Sequence, residues 1–89
     1  MFYMYVLLLD NDQLYIGFTN DLKKRIKLHK EGKVFTTKKF LPVKLVYYEC
    51  YLDKEDAEQR EFMIKRFGST YSHLKKRITN SIKKSQGRG

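Results

Sequence analysis

A chain of 89 residues with net charge +9 and 42% hydrophobic content is large enough for one modest core and too small for two. That hydrophobic share, with seven tyrosines and six phenylalanines, excludes a disordered tail, and one cysteine, Cys50, excludes a disulfide framework or a thiolate zinc site. The charge asks for an anionic partner.

The excess is uneven. Residues 1–61 carry 11 Lys/Arg against 10 Asp/Glu, whereas residues 62–89 carry eight basic residues and no acid. Within 22–44, nine basic residues face only Glu31. Two basic segments around an aromatic-rich core favour nucleic acid. A membrane surface would ask for a basic amphipathic helix with exposed Phe or Leu, and a merely solubilising surface is the bland alternative.

Met1 to Leu9 is apolar but too short to span a bilayer and ends at Asp10, so the protein is expected to be soluble and cytoplasmic. The run Phe2–Leu9 reads as a central strand. Asp10-Asn11-Asp12 is turn chemistry and Leu14–Phe18 a second strand, which together predict a hairpin. A register pairing residues whose numbers add to about 22 puts Tyr5, Leu7, Tyr15 and Gly17 on one face, with Tyr5 and Tyr15 diagonal; another register separates them. Glycine inside a strand signals a bulge or the close approach of another group, and at Gly17 a phosphate is the expected visitor.

Thr19 or Asn20 is expected to cap a helix that runs to about Lys30 and stops at Gly32. At the helical period Leu22 and Ile26 point inward while Lys23, Lys24, Lys27 and Lys30 point away. Arg25 and His29 fall beside the apolar stripe, at an edge suited to a groove. A guanidinium there grips a phosphate in bidentate fashion or simply snorkels. His29 alone reads as an ordinary histidine, satisfied or exposed, or as a second group at that edge.

Residues 33–42 form a basic loop containing Lys38 and Lys39 and ending at Pro42. Val43–Tyr51 is a third strand, with Cys50 expected as a small buried hydrophobe. Asp53 is expected to cap a second helix through about Phe67, ending before Gly68, with Asp53, Glu55, Asp56 and Glu58 as acids favoured by the helix dipole at its start. Ala57, Met63, Ile64 and Phe67 define its apolar arc. Arg60 falls oddly near the centre of that arc, and Glu61 at its border. Glu61 either binds a divalent metal through oxygen or pairs with Lys65 four residues on.

Tyr71–Lys83 reads as a third helix with Tyr71, Leu74, Ile78 and Ile82 on one arc. It belongs to a basic C-terminal segment, about 70–84, that carries Lys75, Lys76 and Arg77, and residues 85–89 are expected to be a flexible tail. Removing residues 70–89 is expected to weaken DNA binding and leave the chemistry. The order ββαβαα predicts an α+β domain over residues 1–84, a three-stranded antiparallel sheet flanked by helices.

Several of these residues form an ordered series. Tyr3-Met4-Tyr5 and Tyr15-Ile16-Gly17 precede Thr19-Asn20-Asp21-Leu22, Arg25 and His29; Pro42, Leu45-Val46-Tyr47-Tyr48-Glu49 and Ala57-Glu58-Gln59-Arg60-Glu61 follow. The series resembles the GIY-YIG endonuclease family, in particular its small stand-alone members, over residues 2 to about 67. The first motif's glycine and isoleucine are replaced by Tyr3 and Met4, and its tyrosine is kept as Tyr5. The resemblance implies the same sheet and a metal-dependent cleavage of phosphodiester bonds. By position, Tyr5 would deprotonate or position the attacking water, Tyr15 would support it, Arg25 would hold the scissile phosphate and His29 would assist. Glu61 would hold a single Mg2+ or Mn2+.

DNA, branched or damaged, is the expected partner, in repair, recombination or processing. Gly17, Lys38, Lys39, Lys75, Lys76 and Arg77 are the candidate contacts to it, and they touch phosphates without reading sequence. A protein partner is therefore expected to supply target selection. Two other classes stay open: a non-catalytic nucleic-acid-binding module, and a structural subunit of a larger nuclease or repair complex.

Overall fold

The apolar run at the start of the chain becomes β1 (Phe2–Leu8), the middle strand of a three-stranded antiparallel sheet. β2 (Leu14–Thr19) and β3 (Lys44–Tyr51) flank it in the order β2-β1-β3. A strand covered on both faces has no reason to alternate, and Met4, Tyr5, Val6 and Leu7 are all fully buried. This computed structural model describes residues 1–87. Around the sheet lie α1 (Leu22–Lys30), α2 (Lys54–Arg66), α3 (Gly68–Arg77) and α4 (Thr79–Gln86), with a short 3-10 turn at Lys38–Phe40.

The two faces of β1 feed separate cores. Met4 and Val6, with Ile16 of β2, pack against Ile64, Leu74 and Ile78 from the second half of the chain. Tyr5, Leu7 and Leu9 pack with Ile26 of α1 and Val43. The result is three layers, with α1 and the loop after it on one side and α2 to α4 on the other. β1 and β2 pair with Tyr5 opposite Gly17 and Leu7 opposite Tyr15, which is the register that puts both tyrosines on the α1 side. On its other flank Tyr5 faces Tyr48 of β3.

Local signals placed the end of α1 and the start of α2. Gly32 takes a φ of +73 just past α1, where a side chain would be strained. The Asp53 carboxylate accepts the Glu55 amide at 2.8 Å, as an N-cap should.

Several expectations are corrected. The cap of α1 is Asp21, whose carboxylate accepts the Lys24 amide at 3.1 Å. Thr19 is instead the last residue of β2, and its hydroxyl accepts the Asp21 amide to form the turn. The expected third helix is two, divided at Ile78. There the Thr79 hydroxyl bonds back to the carbonyls of Lys75 and Lys76 at 3.2 and 3.0 Å, a pattern that bends helices. α4 then continues to Gln86 and the Lys44 ammonium donates to the Ser85 carbonyl at 2.6 Å, so Ser85 and Gln86 are helical rather than tail. Residues 88 and 89 of that expected tail lie outside the described residues. Phe67, expected on the apolar arc of α2, is the extended junction before α3 and stays 45% exposed. Cys50 is exposed rather than buried, because β3 is an edge strand with exposed residues along it. Finally, Leu74 and Ile78 are core residues, so deleting residues 70–89 would uncover one face of the sheet.

The odd position of Arg60 also has its reason. Its guanidinium forks onto the Glu49 carboxylate of β3, at 2.9 Å from Nε and 3.2 Å from Nη2. Tyr47 and Tyr51 donate their hydroxyls to the same carboxylate. Burial pushes the Glu49 carboxyl up, but the bonds from Arg60, Tyr51 and Tyr47 outweigh it and hold it below the usual range. This polar clasp ties α2 to β3.

Candidate active site

Gly17 explains the position of Tyr5. A Cβ at residue 17 would sit inside the Tyr5 ring atoms Cζ and Cε1 and its hydroxyl oxygen. The close approach that glycine permits is therefore made by Tyr5, where the sequence pointed to a phosphate. Lying across Gly17, the Tyr5 ring extends under α1 to His29, whose Nε2 is 2.7 Å from the Tyr5 hydroxyl. The other ring nitrogen, Nδ1, is 2.7 Å from the Thr37 hydroxyl. Tyr15 closes the group, its ring centroid 5.3 Å from that of His29 and 6.4 Å from that of Tyr5. The Thr36 hydroxyl donates to the Tyr15 hydroxyl at 3.3 Å.

His29 and Thr37 are the two fully buried polar side chains behind Tyr5. Burial, and then the positive charge of Arg25, push His29 down from 6.5 to about 4, so at neutral pH the ring is uncharged. Burial likewise raises the Tyr5 hydroxyl above its ordinary value, and Arg25 at its side pulls it back. The charge of Glu61 also acts on Tyr5, which places α1 and α2 in electrostatic reach of the same phenol. Arg25 carries the sharpest signal. Its Nε is buried and has no hydrogen-bond partner among the described residues. Orphaned buried donors are rare and costly, and a phosphate oxygen is the kind of acceptor a guanidinium in this position would take.

Tyr5, Tyr15 and His29 thus meet from β1, β2 and α1 with Arg25 beside them, and Glu61 of α2 reaches Tyr5 through its charge. Lys38 and Lys39 follow Thr37 directly and are exposed beside this group, Lys38 lying 4.8 Å over the Phe35 ring. Lys75, Lys76 and Arg77 of α3 have no contact with this group among the described residues; their helix packs through Leu74 on the other face of the sheet. Thr36 and Thr37 are the members that sequence reasoning missed. Two threonines in a basic loop carry no periodic or motif signal; only the folded loop buries Thr37 and brings the exposed Thr36 hydroxyl to Tyr15. A cleft of about 660 Å³, floored by Tyr3, Leu22, Ile26, Leu45 and Tyr48, contains none of the five candidate residues. The chemistry is concentrated in the buried row of rings instead.

Glu61 tests the fit of a metal. One carboxylate oxygen takes the Lys65 ammonium at 2.9 Å, so the helix pair read from the sequence does form. No group of three or more His, Cys, Asp or Glu able to hold a metal occurs among the described residues. The donor set is one largely buried carboxylate that already pairs with Lys65. That fits a hard divalent ion which keeps most of its waters, and does not fit a tightly caged structural ion.

Three comparisons bear on this arrangement. The GIY-YIG catalytic domain family matches residues 1–72. A UPF0213 protein of Clostridium perfringens is 45% identical over 67 residues, covering 74% of this chain and 72% of that protein. Another from Bacillus licheniformis is 45% identical over 65 residues, covering 72% and 67%. The solution NMR structure of a UPF0213 protein from Bacillus halodurans matches with a TM-score of 0.54 at 30% identity, over 83% of this chain and 81% of that one.

Proposed function

The chain belongs to the GIY-YIG catalytic domain family and resembles its small UPF0213 members, and from that premise we propose that it is a divalent-metal-dependent endonuclease that nicks DNA. The family supports a nuclease-type function. The observation that carries the finer reading is the unpartnered, buried Arg25 Nε beside the Tyr5–His29 pair.

In this reading Arg25 holds the scissile phosphate and neutralises the charge that builds on its oxygens during attack. His29 is uncharged at neutral pH, so positive charge in the pocket comes from Arg25. Tyr5, wedged between Gly17 and His29, holds the attacking water in line with the phosphorus and takes part in removing its proton. Tyr15 walls the pocket, its hydroxyl steadied by Thr36. Glu61 is the residue that would hold Mg2+ or Mn2+. When bound, such an ion polarises the phosphodiester and stabilises the leaving oxygen.

Lys38 and Lys39 supply contacts to flanking phosphates, and Lys75 and Lys76 on α3 supply more distant ones. None of these reads a base edge, so targets are selected by DNA shape, branched or damaged, or by a protein partner. Repair, recombination or processing of DNA is the setting this reading proposes.

The test is nicking of supercoiled plasmid with Mg2+ or Mn2+ by wild type, Glu61→Ala and Arg25→Ala. Cleavage by the wild type with a loss of about 10²- to 10³-fold in Arg25→Ala supports the assignment. Equal cleavage by all three proteins sinks it. No cleavage by any, with salt-sensitive DNA binding retained, identifies a non-catalytic binding module.

A further inference from the structure

We propose that Phe35 is a wedge: its ring inserts between two stacked bases beside the bond that is cut, so that the substrate is DNA with a mispaired step at the cutting site. The position of the cut rests on the nuclease reading above; the insertion itself is read by binding alone.

Single exposed apolar residues are ordinary on a protein surface. Phe35 stands apart in three ways. It is 80% exposed, the most open aromatic ring among the described residues. It sits on a turn that is tied down on both sides. The Lys33 amide donates to the Leu28 carbonyl of α1 at 3.0 Å, and the Val34 carbonyl accepts the amides of Thr37 and Lys38 at 3.1 and 3.0 Å. Further on, the Asp10 amide of the hairpin turn donates to the Phe40 carbonyl at 2.9 Å. Finally, the turn leads straight into the active site. The Thr36 hydroxyl donates to that of Tyr15, and the Thr37 hydroxyl lies 2.7 Å from the His29 ring. The Cα atoms of Phe35 and Thr37 are at most about 7 Å apart, which is about two base steps at 3.4 Å each. A ring so placed reaches the bases next to a phosphate held by Arg25.

Charge selects the partner. The Lys38 ammonium lies 4.8 Å over the Phe35 ring, and Lys39 beside it is exposed. The nearby acid, Glu31, is taken up by Lys33 at 3.3 Å. A protein-docking face would set other apolar side chains around the ring, whereas the neighbours here are exposed Thr36, Lys38 and Lys39 and a half-buried Val34. Cations around one flat apolar group suit a base step flanked by phosphates. Apolar side chains that enter such a step unstack it and kink the duplex. Unstacking costs least where a base pair is already lost, and a ring on a fixed turn loses little freedom on entering. Phe35 has no donor or acceptor in its side chain, so it reads the strength of stacking rather than the sequence. The lysines, which touch phosphates, cannot make that distinction.

The test is fluorescence anisotropy of labelled duplexes, matched or with one mispair, in EDTA, where a metal-dependent enzyme does not cut. The wild type is expected to prefer the mispaired duplex. In Phe35→Ala, affinity for that duplex falls about five- to a hundredfold and the matched duplex changes little. The salt slope stays that of the wild type, because no phosphate contact is lost. Phe35→Trp, which keeps a flat ring, restores the preference. The ring lies in solvent, so both variants keep the fold. Equal wild-type affinity for the two duplexes overturns the proposal. So does a preference that survives in Phe35→Ala, or an equal loss on both duplexes, which would make the ring a plain apolar contact. DNA binding untouched by Phe35→Ala also overturns it and assigns the ring to a protein partner. A wild type that prefers the mispair but never nicks plasmid with Mg2+ or Mn2+ refutes the nuclease reading and leaves the wedge standing. Nicking without the preference does the reverse.

Discussion

Tyr5 and Gly17 act as one unit, since the ring occupies the space a side chain at residue 17 would need. Gly17→Ala must displace the Tyr5 ring from His29. We expect it to cost about 1–3 kcal/mol in thermal unfolding and to abolish nicking. Full activity in Gly17→Ala would refute the placement of Tyr5. His29 gives a second residue-scale prediction. Its pKa is about 4 in the folded chain against 6.5 ordinarily, so between those values the unfolded chain binds the extra proton. Stability from this group is fully present above pH 6.5 and is lost as pH falls towards 4, by an amount of order 3 kcal/mol. Urea unfolding of wild type and His29→Gln should show a stability gap that narrows from pH 7 to pH 5. A constant gap would mean that the ring is not held neutral.

At the scale of elements, α2 is fastened to β3 by a polar clasp set beside the apolar core. Arg60 and Glu49 are mostly shielded, with side-chain exposures of 28% and 16%. Removing one partner strands the other, whereas replacing both with apolar groups removes the need for the pair. Glu49→Ala should therefore destabilise by about 2–4 kcal/mol, and Glu49→Leu combined with Arg60→Met should recover most of that loss. Chemical denaturation of the two single variants and the double variant measures the coupling. The same clasp explains why an arginine sits where the helical period of α2 asks for an apolar residue. Its partner is 11 positions away on another element, beyond the reach of any periodic pattern. At the division between α3 and α4 the Thr79 side chain bonds back to two carbonyls of the preceding turn.

For the whole molecule, the positive charge is split between the two layers that sandwich the sheet. No helix among the described residues is long and apolar enough to cross a membrane. Lys75, Lys76 and Lys83 line one cleft between α3 and α4, and all three are exposed. Changing them to Gln should lower the salt slope of DNA binding by about 0.9 for each phosphate no longer neutralised, with the cleavage rate at saturating DNA retained. An unchanged slope in fluorescence anisotropy would make these lysines solubilising only. Substitution is the right tool because Leu74 and Ile78 of the same segment are core.

What the sequence determined by itself was local or cumulative. The central strand followed from its apolar run, the hairpin from its turn, the end of α1 from Gly32 and the start of α2 from Asp53, while the five candidate residues were proposed through a series that resembles a known family. Each rests on residues close in the chain or on a series read along it. The tertiary structure decided what meets what. It chose the hairpin register, put the Tyr5 ring over Gly17, linked Tyr5 to His29 across 24 positions, and turned Thr37 onto the same ring. It also gave Arg60 its carboxylate and left Cys50 exposed on an edge strand. Burial and pairing between distant side chains depend on which elements cover which faces, and that is fixed only when the three layers close.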